Sequence, residues 1–189
     1  GLAARLVSYG ARLTEFHLPD KAGVPADIVL GFDNLADYIA TNTYFGATCG
    51  RYGNRISDGR FQLDGKTVQL DCNEGPNHLH GGKRGFDRRN WQAVADATNN
   101  SVTFSLVSPD GDMGFPGTVL LSACYCLAED NSFSITMRGV TDQPTVLNMV
   151  HHSYWNLAGQ GSGDVCSQEL MLNADFYTPI DDALITTGE

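Results

Sequence analysis

The histidines are the residues with the clearest chemical potential in this sequence. There are five, and four of them form two close pairs, His78 with His80 and His151 with His152. An imidazole has a reference pKa of about 6.5, so it can give or accept a proton near neutral pH. Both pairs lie among Asn, Gly and aromatic residues, and we expect at least one pair to line a functional site. The alternative is that they are hydrogen-bonded histidines of the core or surface.

Strand geometry limits which histidines can act together. Residues two apart on a strand share a face, whereas adjacent residues point to opposite faces. His78 and His80 can therefore reach one pocket together, and only one of His151 and His152 can face it. The other member of the second pair is expected to be structural.

A metal-binding site is the first interpretation of these histidines to consider. A His-x-His pair with a distant histidine is a three-ligand arrangement of cupin-type barrels, which add a carboxylate a few residues later. Here Lys83 and Arg84 follow the pair instead, and their charges would repel a metal ion. We predict no metal and keep the cupin type as a distant alternative.

The remaining polar groups suit a small, neutral ligand that is rich in hydroxyls. Asn54 and Arg55 offer amide and guanidinium donors, although a structural ion pair is an equal alternative for Arg55. Aromatic rings that could stack on the face of a sugar are those of Phe86, Tyr154 and Trp155.

The elements that must position these residues are predicted to be strands. Apolar residues alternate at Val102, Phe104 and Leu106, so that they share one face. The clearest predicted strands are Ala4–Phe16, Phe61–Leu70, Ser101–Val107, Thr118–Leu127 and Ser132–Val140. Asp64-Gly65 is a tight-hairpin signal, and only Asn34–Thr41 is predicted to be helical. The predicted class is all-β and antiparallel, in one continuous domain.

Composition excludes several kinds of partner. Among 189 residues, 12 Lys and Arg stand against 22 Asp and Glu, a net charge of −10 that disfavours binding to nucleic acid. No apolar run approaches the roughly 18–20 residues of a membrane span, so no membrane partner is expected. The five cysteines lack CxxC spacing, which favours reduced thiols in a cytoplasmic protein, with an organelle left open.

Several motifs together resemble those of the aldose 1-epimerase (galactose mutarotase) family. They follow the family's order and spacing over the whole chain, and they are Gly50–Ile56, Asn77–Phe86 with Trp91, Ser108–Gly117, Asn148–Gly159 and Asp175–Glu189. The resemblance implies an antiparallel β-supersandwich that interconverts the α and β anomers of free hexoses such as glucose or galactose without a cofactor. A base removes the proton of the anomeric hydroxyl and an acid protonates the ring oxygen. The ring then opens, the C1–C2 bond rotates and the aldehyde recloses.

The resemblance also implies roles for individual residues. By motif, His152 is the general acid, and His80 is a second active-site histidine that orients the sugar and stabilises developing charge. Asn54 and Arg55 match the substrate-binding pair, and Trp155 replaces the usual phenylalanine at a further substrate contact.

The chain departs from the family at two points. His151 stands where the family usually has Asn, so the choice between His151 and His152 as the acid is less secure. The family's glutamate base and a further sugar-binding aspartate lie beyond Glu189, so residues 1–189 are predicted to be one domain that lacks its C-terminal portion. This chain alone is then expected to lack the general base. The sequence does not indicate an oligomeric state.

Two other functions stay open. A hexose-6-phosphate 1-epimerase of the same fold is suggested by the basic residues Lys83, Arg84, Arg88 and Arg89 beside His80. A non-catalytic carbohydrate-binding protein is compatible with the missing base.

Overall fold

The computed structural model describes residues 1–188, most of whose regular structure is short strands. Glu189, the last residue of one family motif, lies outside the described residues. The strands are β1 (Ala3–Val7), β2 (Arg12–Pro19), β3 (Pro25–Asp27), β4 (Thr48–Cys49), β5 (Arg55–Ile56), β6 (Arg60–Leu63), β7 (Lys66–Gln69), β8 (His78–Leu79), β9 (Gln92–Asp96), β10 (Ser101–Ser108), β11 (Val119–Leu127), β12 (Phe133–Thr141) and β13 (Val150–His151). The helices are α1 (Leu35–Ala40) and the 3₁₀ turns Ser57–Gly59, Phe86–Arg88 and Asp112–Gly114.

All of the strand ladders are antiparallel, as predicted for the fold class. The largest sheet has four strands in the order β12-β11-β10-β9, and a second sheet has the order β1-β2-β3. Three further pairs, β13 with β4, β5 with β8 and β6 with β7, complete the sheets. Strands β4, β5, β8 and β13 are each two residues long, so loops form much of the chain between the two larger sheets.

The turn chemistry decides where the predicted strands end. Asp64 and Gly65 have φ of 49° and 74°, the left-handed pair required by a two-residue hairpin, and they join β6 to β7 as predicted. The single strand predicted over Ala4–Phe16 is wrong. Gly10 turns with φ of 77°, and the two halves of that run pair with each other as β1 and β2.

The predicted helix and the predicted inward face are both confirmed. Asn34 caps α1, because its side-chain oxygen accepts the Asp37 N–H at 3.0 Å. On β10, Phe104 is buried, while its neighbour Ser105 is exposed. No helix within residues 1–188 is long and apolar enough to cross a membrane.

The core has two apolar clusters that share Phe133 at their edge. One covers the inner face of the four-stranded sheet, where Phe86 and Trp91 pack against Phe104 and Tyr125. The Trp91 Nε1–H also donates to the Phe86 carbonyl at 3.1 Å. The loop that follows His80 is therefore anchored in the core. The second cluster is formed by Leu13, Phe16, Ile28 and Val29.

A buried arginine joins two of the loops. Arg12 is 1% exposed, and its Nη1 donates to the carbonyls of Phe45 at 2.6 Å and Thr43 at 3.4 Å. Its Nη2 donates to the Asp87 carbonyl at 3.1 Å. The guanidinium carbon also lies 4.9 Å from the centre of the Tyr38 ring, within the range of a cation–π contact. Arg12 thus holds the segment 43–45 and the loop at Asp87 at a fixed separation.

We expect Arg12→Met to lower the free energy of unfolding by about 3 kcal/mol, because three inward-facing carbonyls lose a charged donor. Arg5→Met is the matched control. Its side chain is 69% exposed in an ion pair with Glu15, so its loss should cost less than about 1 kcal/mol. Denaturant unfolding followed by fluorescence measures both. Equal losses in the two variants would contradict the role given to Arg12.

Candidate active site

The pairing of β5 with β8 brings Asn54 beside His80. Arg55 lies opposite Leu79 in that ladder, so the residues just beyond, Asn54 and His80, are neighbours. The Asn54 backbone N–H donates to His80 Nδ1 at 2.9 Å, and the His80 N–H donates to the Asn54 carbonyl at 3.1 Å. Because Nδ1 accepts a hydrogen bond, the neutral ring carries its proton on Nε2. This ring is therefore fixed in orientation and tautomer by backbone.

The second histidine, His152, directly follows β13, which pairs with β4. The His152 N–H donates to the Ala47 carbonyl at 2.9 Å, and the Gly46 N–H donates to the His152 carbonyl at 3.0 Å. The His152 ring meets the His80 ring edge-on, with centroids 4.9 Å apart and an interplanar angle of 84°. The structure therefore brings together two histidines that are 72 residues apart in the sequence.

Two tyrosines complete this cluster of rings. Tyr44 contacts both histidines, with centroids 4.6 Å from His80 and 5.4 Å from His152. Tyr154 contacts His152 at 5.1 Å. Tyr154 was among the rings expected to stack on a ligand, whereas Tyr44 was missed. The segment that contains Tyr44 shows no periodic pattern, and the available signal was an aromatic residue two positions before Gly46.

His151 faces away from this cluster, as the alternation of adjacent strand residues requires. Its Nε2 lies 2.7 Å from the Ser153 hydroxyl, and its Nδ1 lies 3.4 Å from the Tyr125 hydroxyl. Tyr125 in turn donates to the Ala11 carbonyl at 2.7 Å, within the core. His151 is therefore tied to the core.

His78 does not join His80, so the expectation that both reach one pocket is wrong. Strand β8 ends at Leu79, and His80 has φ of 50°, which breaks the alternation on which that expectation depended. The His78 side chain is fully buried, with Nδ1 2.7 Å from the Asp71 carbonyl and its ring edge-on to Phe115. His78 is a core residue.

Trp155 and Phe86 lie apart from the histidine cluster. The Trp155 ring packs edge-on against Phe16 at 5.8 Å, and 42% of its surface is exposed. Phe86 is 2% exposed in the core, so it is not available to stack on a ligand. Of the three rings expected to stack on a sugar, only Tyr154 contacts the cluster.

Arg55 lies beside His80 and forms the ion pair that was kept as an alternative for it, with Glu74 as the partner. Its Nε and Nη2 donate to the two carboxylate oxygens of Glu74 at 2.5 and 2.6 Å. Its Nη1 donates to the Asn54 side-chain oxygen at 3.3 Å. Both of the residues predicted to bind substrate therefore adjoin His80.

Three of the four basic residues that follow His80 lie beside carboxylates, and Arg84 is exposed without such a partner among the described residues. Lys83 lies 3.3 Å from Asp71, and Arg89 lies 2.8 Å from Asp112. Arg88 Nε lies 3.7 Å from Asp87. A phosphate would have to compete with these carboxylates, which weakens the expectation of a phosphorylated sugar.

Burial keeps the histidines of the site uncharged near neutral pH. Desolvation, assisted by the charges of His152 and Arg55, lowers the pKa of His80 to about 4. Burial also lowers the pKa of His152, and it lowers the pKa of His151 to about 4.

Within residues 1–188, no three His, Cys, Asp or Glu side chains gather in a way that could hold a metal ion.

Comparison with known proteins decides the family. The sequence model of the aldose 1-epimerase family matches residues 1–189. The chain belongs to the aldose 1-epimerase family. It is 43% identical over 188 residues to the galactose mutarotase of Bos taurus, covering 100% of this chain and 54% of the bovine protein. It is 41% identical over 182 residues to the aldose 1-epimerase of Escherichia coli K12, covering 96% of this chain and 52% of that enzyme.

Solved structures confirm the galactose mutarotase-like fold. An aldose epimerase homologue from C. elegans superposes with a TM-score of 0.92 at 35% identity, covering 100% of this chain and 57% of the other. A galactose 1-epimerase from Lactobacillus acidophilus superposes with a TM-score of 0.81 at 31% identity, covering 97% and 53%. The chain therefore spans about half the length of the aldose epimerases that it matches.

We expect His151→Asn to reduce the loss of stability in mild acid. His151 has a pKa of about 4 in the folded protein against an ordinary 6.5, so the unfolded chain binds more protons between these values. Stability therefore falls as the pH drops from about 6.5 towards 4, and the asparagine removes this contribution. The similar contribution of His80 remains in this variant. Asp87 acts in the opposite direction, because its buried carboxyl has a pKa raised to about 6 and its protonation stabilises the folded protein as the pH falls.

The measurement is the unfolding midpoint in denaturant at intervals between pH 7.5 and 4. His17→Asn, on the partly exposed end of β2, is the matched control for the loss of an imidazole outside the core. A His151→Asn curve that overlays the wild type across this range would show that His151 is not linked to folding.

Proposed function

We propose that the protein is an aldose 1-epimerase, an isomerase that interconverts the α and β anomers of free hexoses such as glucose or galactose. The observation that carries the proposal is the contact of the His80 and His152 rings at 4.9 Å beside Asn54 and Arg55. An acid and the groups that hold a sugar must reach the same small ligand, and the proximity of these four residues supports those roles.

In the proposed mechanism, His152 protonates the ring oxygen as the anomeric hydroxyl loses its proton. His80 has its proton on Nε2, because Nδ1 accepts the Asn54 N–H, so the ring can donate a hydrogen bond to a sugar oxygen. The Asn54 amide and the Arg55 guanidinium hold further hydroxyls. The reaction needs no cofactor, since proton transfer alone opens and recloses the ring.

The acid role requires a protonated His152, although burial lowers the pKa of this residue. A nearby carboxylate would raise that pKa. The family resemblance implies a glutamate base, which would supply such a charge and is expected outside the part of the relatives that this chain covers. We therefore propose the activity for a protein in which both parts are present.

A neutral sugar and a cytoplasmic setting are the favoured context. The pairing of Lys83, Arg88 and Arg89 with carboxylates supports a free hexose over a hexose phosphate. All five cysteines are free thiols, which supports a reducing compartment.

Mutarotation of fresh α-D-glucose and α-D-galactose, followed by polarimetry, tests the proposal in the full-length protein. His152→Ala is expected to lower kcat by about 10²–10⁴-fold, the usual contribution of a positioned acid. His17→Ala is the matched control, since this histidine lies on β2 in contact with Glu15. Wild-type protein that does not accelerate the reaction over buffer, or full activity in His152→Ala, would overturn the proposal.

A further inference from the structure

Glu74 holds the guanidinium of Arg55 in one orientation. Both carboxylate oxygens are engaged, one by Nε at 2.5 Å and the other by Nη2 at 2.6 Å, so the two planar groups meet side-on. The Arg55 side chain is 16% exposed, whereas that of Glu74 is 37% exposed. The pair thus lies at the edge of the site, with the arginine on its inner side.

The turn that carries Glu74 is itself fixed to the strand that leads to His80. The Glu74 N–H donates to the Asn77 carbonyl at 3.1 Å, and the Asn77 N–H donates to the Glu74 carbonyl at 3.0 Å. Before the turn, the Asn73 side chain accepts the Leu79 N–H at 2.7 Å and donates to the Leu79 carbonyl at 2.9 Å. Glu74 is therefore held in a constant relation to His80, and none of these bonds uses its carboxylate.

The ion pair decides which donors of Arg55 remain for a ligand. A guanidinium has five N–H bonds. Two point to Glu74, and one points to the Asn54 side chain at 3.3 Å. One N–H on each terminal nitrogen is left, in a plane that the carboxylate sets. Without the carboxylate, a flexible arginine would lose rotamer freedom each time it bound a sugar.

We propose that Glu74 is a positioning residue, which aligns Arg55 for the hydroxyls of the sugar held beside His80 and His152. The inference rests on the proposed function and deepens it. Glu74 acts on binding and not on proton transfer, because its two oxygens are already occupied by Arg55.

Steady-state mutarotation of galactose by the full-length protein tests this role. Glu74→Ala should raise KM about tenfold and change kcat by less than about threefold, the pattern of a lost binding interaction. Glu74→Gln keeps one acceptor oxygen and should raise KM by a smaller factor. The control is Glu15→Gln, which breaks the ion pair of Glu15 on β2 with Arg5 on β1 and should leave both constants unchanged. An unchanged KM in Glu74→Ala would overturn the proposal.

A second arm separates alignment of Arg55 from a general structural effect. In an Arg55→Ala background, Glu74→Ala should add less than a twofold change in KM, since its partner is already gone. A further tenfold rise would show that Glu74 does not act through Arg55. If the wild type lacks activity, the proposed function fails, and calorimetry of galactose binding to wild type and Glu74→Ala tests the pairing alone. Equal affinities would then refute it.

Discussion

The burial of Arg12 is the constraint on which the site depends. A guanidinium out of water is costly unless its N–H groups find acceptors. Here the acceptors are backbone carbonyls on either side of Tyr44, together with the carbonyl of Asp87 from the loop that follows His80. The Nε of Arg12 has no partner, but the hydrogen bonds of its two terminal nitrogens fix the segment 43–45 relative to the loop that carries Asp87. The ring contacts of Tyr44 with both histidines follow from that spacing.

Arg51 is a second buried arginine whose hydrogen bonds hold loops together. It is 1% exposed, and it donates to the Ser108 hydroxyl at 3.0 Å and to the Pro109 and Pro116 carbonyls at 2.8 and 2.7 Å. Such anchors are needed because β4, β5, β8 and β13 are two residues long and supply few ladder hydrogen bonds. A site built on short strands gains its rigidity from side chains that bind loops.

Local patterns predicted the parts of the fold that local physics controls. The Asp64-Gly65 hairpin, the capped helix after Asn34 and the inward face of β10 follow from residue type and periodicity. The position of His78 could not be predicted, since the left-handed φ of His80 ends the alternation on which a strand argument depends. Tyr44 could not be found either, because the contacts of Arg12 that hold it join residues 31 to 75 positions apart.

The charges around the histidines bear on where the chemical base must come from. Glu74 and Asp87 are two carboxylates near Tyr44 whose charges help to raise the pKa of its hydroxyl, after burial. Glu74 is committed through both oxygens to Arg55, and Asp87 is buried, with a pKa raised to about 6 by desolvation. A base for an anomeric hydroxyl needs a free, ionised oxygen that reaches the sugar. Asp87 is 3% exposed and both oxygens of Glu74 face Arg55, so a third carboxylate that faces the sugar fits the role of base better, and its charge would also favour protonation of His152.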